Sequence, residues 1–249
     1  MLLTMANFHP RTERRLAAAM RIYDLLRSAI MHGEIPSGVL PGETELMVAF
    51  SASRQVIRDA LEQLRKEGLV QRLQGAGTLV TPTRVSHDFD VLQGPVQDIE
   101  HRIILSAEEV APPSVARKLG LPVGANCGVV EITTFMDGVP LDTATTYVHA
   151  SFLSIVEGFG AHDEWFSLYA RAGIALGVTD HAIEASVADE YNASLLGVEP
   201  GHPLLVLERL VFDADGDPVE YAFTRIRGDR LTLHQRMSRQ KTYPFDTPS

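Results

Sequence analysis

The chain has 249 residues, a net charge of −10 and a single cysteine, Cys127, and its length suits two domains of ordinary size. One cysteine excludes a disulfide framework and a cysteine-based zinc site. The first ten residues lack the basic start and long apolar core of a signal peptide, and no run approaches the roughly 20 apolar residues of a membrane span. These features predict a soluble, cytoplasmic protein.

The charge is unevenly distributed along the chain. Residues 1–85 hold 11 Lys+Arg and 8 Asp+Glu, a net charge of +3, whereas the remaining 164 hold 11 and 24, a net charge of −13. A mildly basic head on an acidic body fits a DNA-binding protein whose body does not bind DNA. An acidic surface also keeps proteins soluble, and the charge pattern is equally compatible with that simpler interpretation.

The first predicted element is a helix from about Glu13 to His32, which Gly33 ends. Residues 35–42, IPSGVLPG, are rich in turn formers and predict a rigid connector. Glu43 to Phe50 then predicts a short amphipathic helix.

A second helix is predicted from Arg54, with Ser53 as its N-cap and Gly68 just beyond its end. Its apolar positions recur at i, i+3 and i+4, which predicts one buried face. These positions are Val56, Ile57, Ala60, Leu61 and Leu64. Strands over Leu69 to Leu73 and Thr78 to Val80 are then predicted around a glycine-containing tip, residues 74–77.

The exposed start of this second helix carries Ser53, Arg54, Gln55 and Arg58. Short polar donors suit phosphate groups, and arginines suit phosphate or a bidentate contact with guanine. A helix with two arginines is usually just a solvated helix. Helix, turn, helix and glycine-tipped wing in this order within residues 41–80 nevertheless favour a winged helix-turn-helix that binds DNA.

This stretch resembles the DNA-binding domain of the GntR family of bacterial transcriptional regulators. The matching pieces include Pro41-Gly42-Glu43, Ser53-Arg54, Val56 to Leu61 and Glu67-Gly68-Leu69. In the family, the positions matching Ser53, Arg54 and Arg58 contact DNA, and the wing glycine matching Gly75 enters the minor groove. Thr44 replaces a DNA-contacting arginine of the family, so we expect an operator that departs from the family consensus. The candidate DNA-binding residues are Ser53, Arg54, Gln55, Arg58, Thr44 and Gly75.

The second part of the chain contains an internal repeat. Residues 116–124, ARKLGLPVG, return as residues 193–201, ASLLGVEPG, 77 residues later. The further matching pairs are Glu131 with Glu208, Asp137-Gly138 with Asp215-Gly216, Asp142 with Glu220, and Thr146 with Thr224, the last three after a one-residue insertion. The Asp-Gly turns predict hairpins that join 128–136 to 140–150 and 203–213 to 218–227. Two such units predict a pseudo-symmetric α+β domain around one antiparallel sheet.

Residues 94–235 resemble the UTRA effector-binding domain of the HutC subfamily of GntR regulators, with FDADGDPVEYAFTRIRGDR at 212–230 as the best motif. The resemblance implies an α+β protein with a winged helix-turn-helix domain at 13–82, a linker at 83–93, and a pseudo-symmetric α/β UTRA domain, chorismate-lyase-like with an antiparallel sheet, at 94–240. In the family this second domain binds a small metabolite between its related halves and forms the dimer.

The family comparison also indicates a ligand class. In sugar-phosphate-sensing members, a glutamate aligned with Glu220 touches the ligand, and two arginines hold its phosphate at the positions of Ile132 and Thr134. Two further ligand positions are Ala144 and Ile226 here. A doubly charged phosphate needs strong donors, so we expect an effector that is not a sugar phosphate.

Strand alternation and the repeat give the candidate effector-binding residues Glu220, Thr224, Thr134, Asp142 and Thr146. The two acids could hold a cationic group or hydroxyls. Alternatively, both acids are solvent-exposed or capping residues, and for Asp142 the two interpretations weigh equally.

Together these patterns predict a metabolite-responsive transcriptional regulator, a repressor that its effector releases from DNA. The expected partners are double-stranded operator DNA, a small-molecule effector and a second copy of the chain in a homodimer, with no membrane, metal or cofactor. The alternatives are a regulator whose C-terminal domain only dimerises and a lyase-type enzyme, since UTRA-like folds resemble a chorismate lyase. The sequence has no nucleophile motif, Walker loop or G-x-G-x-x-G, so no catalytic residues are predicted.

Overall fold

The computed structural model describes residues 10–73, 75, 77–81, 85–88 and 99–234. They fall into two compact units that divide between Ser86 and His87. Several predicted features lie outside the described residues: Gln74 and Ala76 of the wing tip, most of the linker, and positions 235–240.

The first unit contains three helices and three short strands. They are α1 (Pro10–Met31), β1 (Val39–Leu40), α2 (Glu43–Ala49), α3 (Arg54–Lys66), β2 (Val70–Leu73) and β3 (Gly77–Val80). The strands form an antiparallel sheet in the order β1-β3-β2, so the predicted wing is present. The sequence did not predict β1, because a two-residue strand inside a connector rich in proline and glycine carries no alternation.

Helix α3 buries the face that its apolar periodicity predicted. All five apolar positions of that face are buried, and they join α1 and α2 in one core. Gly68 follows the helix with a φ of 70°, the left-handed conformation that favours glycine at this position. Ser53 has the extended backbone of an N-cap, but its hydroxyl makes no capping hydrogen bond, which corrects that part of the prediction.

The second unit is built on long strands. Its elements are β5 (Ile99–Val110), α4 (Pro113–Lys118), β6 (Asn126–Met136), β7 (Val139–His149), a 3₁₀ turn (Ala150–Phe152), α5 (Leu153–Val156), α6 (Ser167–Arg171), β8 (Leu176–Val187), α7 (Glu190–Leu196), β9 (Pro203–Asp213), β10 (Pro218–Arg227) and β11 (Leu231–His234). The remaining strand, β4 (Val85–Asp88), crosses the division between the units.

Six strands form one antiparallel sheet in the order β5-β6-β7-β10-β9-β8. The order is symmetric about the β7–β10 junction. The first half contributes β5, α4, β6 and β7, and the second half contributes β8, α7, β9 and β10. The predicted pseudo-symmetric α+β fold is therefore confirmed, and each repeat is one strand longer than the sequence indicated.

The two hairpins form where the Asp-Gly pairs occur. In the first, Asp137 and Gly138 have φ angles of 53° and 73°. Positive φ at both central residues is the geometry of a type I′ turn, whose twist matches that of the flanking strands. Asp tolerates this conformation better than most residues, and glycine adopts it without a steric cost.

The helices α4 and α7 each pack on their own half of the sheet and also reach a strand of the other half. Helix α7 lies against β7, and α4 lies against β10. Two polar contacts also join the halves. The Tyr191 hydroxyl of α7 donates to Glu131 of β6 at 2.9 Å. Symmetrically, the Lys118 ammonium of α4 lies 3.7 Å from Glu208 of β9. The two halves are therefore interlocked.

The opposite face of the sheet carries a separate core. Val130, Ile132 and Val148 pack there with α5, α6 and the 3₁₀ turn, whereas the neighbouring Val129 packs under α4. This follows from strand alternation, which sends successive side chains to opposite faces.

Among the described residues, no helix is long and apolar enough to cross a membrane.

Candidate functional site

The start of α3 presents an exposed polar surface on the first unit. Thr44, Ser53, Arg54, Gln55 and Arg58 are all exposed, and Gly75 has a φ of 83° in the wing turn. The structure thus brings the helix residues named from the sequence to one solvent-facing end, where donors can meet phosphate and base edges.

Two of these side chains contact acids: the acid for Arg58 is on the neighbouring helix α2, and the acid for Gln55 is one turn further along α3. The Arg58 Nε lies 3.4 Å from Glu43 Oε2 at the start of α2. The Gln55 amide donates to Asp59 Oδ1 at 2.8 Å, and Asp59 also pairs with Arg15 of α1 at 3.1 Å. These contacts are exposed, so their contribution to stability is small, and the groups can be exchanged for phosphate contacts.

The second unit contains a cavity of about 230 Å³ against the central strands of the sheet. Both hairpins contribute to its wall, and β5 and the segment before α6 complete it. Its polar lining includes His101, Thr134, Asp142, Thr146, Arg209 and Thr224. Its apolar lining includes Ile132, Phe159, Trp165, Phe166, Leu207 and Ile226.

Four of the five candidate effector residues lie in this wall, namely Thr134, Asp142, Thr146 and Thr224. The positions to which the family resemblance assigns other ligand groups also line the cavity. They are Ile132, Ala144 and Ile226, together with Thr134. The face of both hairpins that strand alternation selected is therefore the face that lines this cavity.

Glu220, the fifth candidate, does not line the cavity. It is fully buried behind the wall, and one carboxylate oxygen accepts hydrogen bonds from Trp165 Nε1 at 2.7 Å and from the Tyr169 hydroxyl at 2.6 Å. The other oxygen accepts from Arg209 Nε at 2.8 Å and also from its Nη2. That Glu220 touches the effector stays a prediction, and in this structure three side chains already hydrogen-bond to its carboxylate.

Burial gives this cluster strong electrostatic coupling. The Arg209 guanidinium lies 4.8 Å above the Phe166 ring while it pairs with Glu220. Burial, with the adjacent Glu220 charge, raises the pKa of Tyr169 well above its ordinary value, so this phenol stays protonated and donates. Arg209 and Trp165 both line the cavity, so Glu220 fixes two wall residues without reaching the space itself.

Asp142 lies half-buried at the wall with its carboxylate toward Thr134. Burial raises the pKa of Asp142 to about 7, and the hydrogen bond from Thr134 and the charge of Arg209 partly oppose this rise. The pKa of His101 is lowered, mainly by burial and further by His162, so His101 is neutral at pH 7. Asp142 is therefore the acid on this wall whose charge state a ligand can change.

Sequence reasoning missed Arg209, His101 and the aromatic side of the cavity. Phe159 and Trp165 meet edge to face, with centroids 5.5 Å apart, and His101 lies 5.4 Å from the Phe159 ring. Arg209 carried a usable signal, since an arginine inside the apolar run 203–212 is unusual unless it is paired. The aromatic segment carried none, because its approach to the sheet depends on long-range packing.

Comparisons with known proteins agree with this architecture. The model of bacterial regulatory proteins of the gntR family matches residues 18–80, and the UTRA domain model matches residues 97–232. An HTH-type transcriptional regulator of Rhizobium meliloti (strain 1021) is 32% identical over 240 residues, 89% of this chain and 96% of the relative.

Two further similarities extend over most of the chain. The HTH-type transcriptional repressor NagR of Bacillus subtilis (strain 168) is 28% identical, with 88% of this chain and 94% of the relative covered. The crystal structure of PhnF from Mycobacterium smegmatis superposes with a TM-score of 0.63 at 24% identity, and covers 88% of this chain and 100% of that one. At this identity the structural match supports the fold.

Proposed function

Because the chain belongs to the GntR family of bacterial transcriptional regulators, in its UTRA-containing HutC subfamily, we propose that it is a repressor which a small metabolite releases from operator DNA. It is a DNA-binding regulator rather than an enzyme. The observation that carries the effector part is the cavity between the two hairpins, whose wall contains four side chains that the repeat and strand alternation indicate.

The DNA-binding surface of this proposal is the start of α3 with the wing. Ser53, Arg54, Gln55 and Arg58 contact the major groove and its phosphates, Thr44 lies beside them at the start of α2, and Gly75 approaches the minor groove. We place the DNA-binding domain at 13–82, the linker at 83–93 and the UTRA domain at 94–240. The protein acts in the cytoplasm as a homodimer, and its two heads bind adjacent half-sites of a pseudo-palindrome.

The effector in this proposal is not a sugar phosphate. Ile132 and Thr134 face the cavity where the phosphate-holding arginines of sensing relatives lie. Arg209 is the one arginine in the described wall, and Glu220 already neutralises it within hydrogen-bond distance. A phosphate group would therefore meet no uncommitted strong donor of the kind that its charge requires.

A paired binding experiment tests the function. The purified protein is screened by thermal shift against a metabolite library that includes sugar phosphates, and each stabilising compound is added to the protein bound to operator DNA. We expect to find an unphosphorylated compound that raises the melting temperature. The same compound should weaken DNA binding, because effector and operator DNA must change each other's binding free energy by the same amount. A sugar phosphate as the sole hit would refute the ligand assignment, and the absence of any hit would favour a body that only dimerises.

A further inference from the structure

The pseudo-symmetry of the sheet supplies an internal comparison for the cavity. The repeat offset places Ile132 at the position of Arg209 and Asp142 at the position of Glu220. The strand ladders agree residue by residue: Ile132 pairs with Ala144 as Arg209 pairs with Ala222, and Thr134 pairs with Asp142 as Val211 pairs with Glu220. The two acids therefore occupy equivalent places on equivalent hairpins.

The second-half acid has a complete set of partners. Arg209, two residues along the neighbouring strand, supplies a positive charge and two N–H donors to Glu220, and Trp165 and Tyr169 supply two more hydrogen bonds. This satisfies the rule that a buried carboxylate is tolerated only when it is paired and hydrogen-bonded.

Asp142, the acid of the first half, has no cation at the position that corresponds to Arg209. An isoleucine, Ile132, stands where symmetry places the arginine, so Asp142 keeps the hydrogen bond from Thr134 and otherwise faces open space. Burial raises the pKa of this carboxyl, and the charge of Arg209 opposes the rise only in part. The cavity is the space that an arginine side chain from position 132 would enter.

No other group on the described wall compensates Asp142. Arg209 contributes some positive potential, but its hydrogen bonds go to Glu220. His101 is held neutral. His162 and Glu164 lie at the exposed rim, and Asp163 pairs with Arg171 at 3.5 Å. The titratable groups around the cavity therefore leave the negative charge of an ionised Asp142 without a paired cation.

We propose that the effector carries a cationic N–H group, such as an ammonium, which pairs with Asp142 as Arg209 pairs with Glu220. The rest of the ligand is a compact apolar or aromatic body that lies against Phe159 and Trp165. The cavity of about 230 Å³ accommodates a ligand of the size of a small amine. This inference rests on the proposed function, since it assigns a ligand class to the same cavity.

A matched set of three probes isolates the charge. They are 2-phenylethylamine, 2-phenylethanol and phenylacetate, which share one body and carry a cationic, a neutral and an anionic head. Trp165 is the one tryptophan of the chain and lines the cavity, so its fluorescence reports occupancy without DNA. At pH 8 we expect the amine to bind about ten-fold or more tightly than the alcohol, because a charge-assisted pair is stronger than a neutral hydrogen bond, and the acid to bind most weakly.

Two variants show whether Asp142 is the cause. Asp142→Asn removes the charge at nearly constant shape and should abolish the preference of amine over alcohol. Glu164→Gln, at the exposed rim of the same cavity, is the matched control and should keep it. In the unsubstituted protein the preference should fall between pH 8 and pH 6, because Asp142 becomes protonated over this range while the amine stays charged.

The outcomes separate the ligand class from the function. An amine that binds no better than the alcohol, or a preference that survives in Asp142→Asn, overturns the cation assignment. If a neutral or anionic compound of the library changes Trp165 fluorescence and releases operator DNA, the effector cavity stands and the cation assignment fails. If the amine binds through Asp142 without changing operator affinity, the cation site stands and the effector function fails.

Discussion

Substitution of Glu220 by glutamine tests the buried cluster behind the cavity. The change keeps the side-chain volume and one acceptor oxygen for Trp165 or Tyr169, but removes the charge that faces Arg209. Arg209 would remain almost fully buried without a counter-ion. Breaking one partner of a buried ion pair costs about 3–5 kcal/mol, a large part of the roughly 5–15 kcal/mol by which domains are stable.

The assay is urea unfolding followed by the fluorescence of Trp165, which belongs to the second unit. A second variant, Arg209→Met with Glu220→Gln, removes both charges and should recover most of the lost stability, because the penalty arises from the unpaired ion. The single variant Arg209→Met completes the comparison. Two results would refute the assignment of a buried, coupled pair: a loss of unfolding free energy below about 1 kcal/mol in Glu220→Gln, or a loss in the double variant that equals the sum of the losses in the two single variants.

Two further predictions concern the DNA-binding surface and Asp142. Arg54→Ala and Arg58→Ala should each weaken operator binding, measured by fluorescence anisotropy, by about 1–3 kcal/mol; Arg102→Ala on the second unit is the control, and unchanged binding in both variants would contradict the recognition-helix assignment. Asp142→Asn should stabilise the ligand-free protein at pH 8. The folded-state pKa of Asp142 is about 7 against an ordinary 3.8, so its stabilising contribution is complete below about pH 4 and is lost as the pH rises through 7. At about 1.4 kcal/mol per pKa unit the loss amounts to at most about 4 kcal/mol, and unfolding curves of equal pH dependence in both proteins would speak against it.

Much of the fold follows from short-range signals in the chain. The Asp-Gly pairs fixed both hairpins, and the apolar spacing of α3 identified its buried face, because turn conformation and helix periodicity depend on neighbouring residues. Strands β5 and β8 escaped prediction because they form the two edges of the sheet. Their side chains are mostly exposed and show no clean alternation between apolar and polar residues.

The cavity was only partly predictable for a related reason. Alternation places Glu220 and Thr224 on one face of β10, but it does not tell which of them lies under other side chains. Trp165 and Tyr169 cover Glu220 from elements more than fifty residues away in the chain, and no local pattern specifies that approach. Arg209 could have been identified as a candidate from the sequence, because the repeat offset aligns it with Ile132.

The packing of α4 and α7 across the two halves has a consequence for how the second unit folds. Helix α4 makes part of its packing on β10, and α7 makes part of its packing on β7, so each half buries part of its helix against the other half. A fragment that ends after β7 would expose the part of α4 that packs on β10, and the complementary fragment would expose the part of α7 that packs on β7. We therefore expect the two halves to unfold together in one cooperative transition.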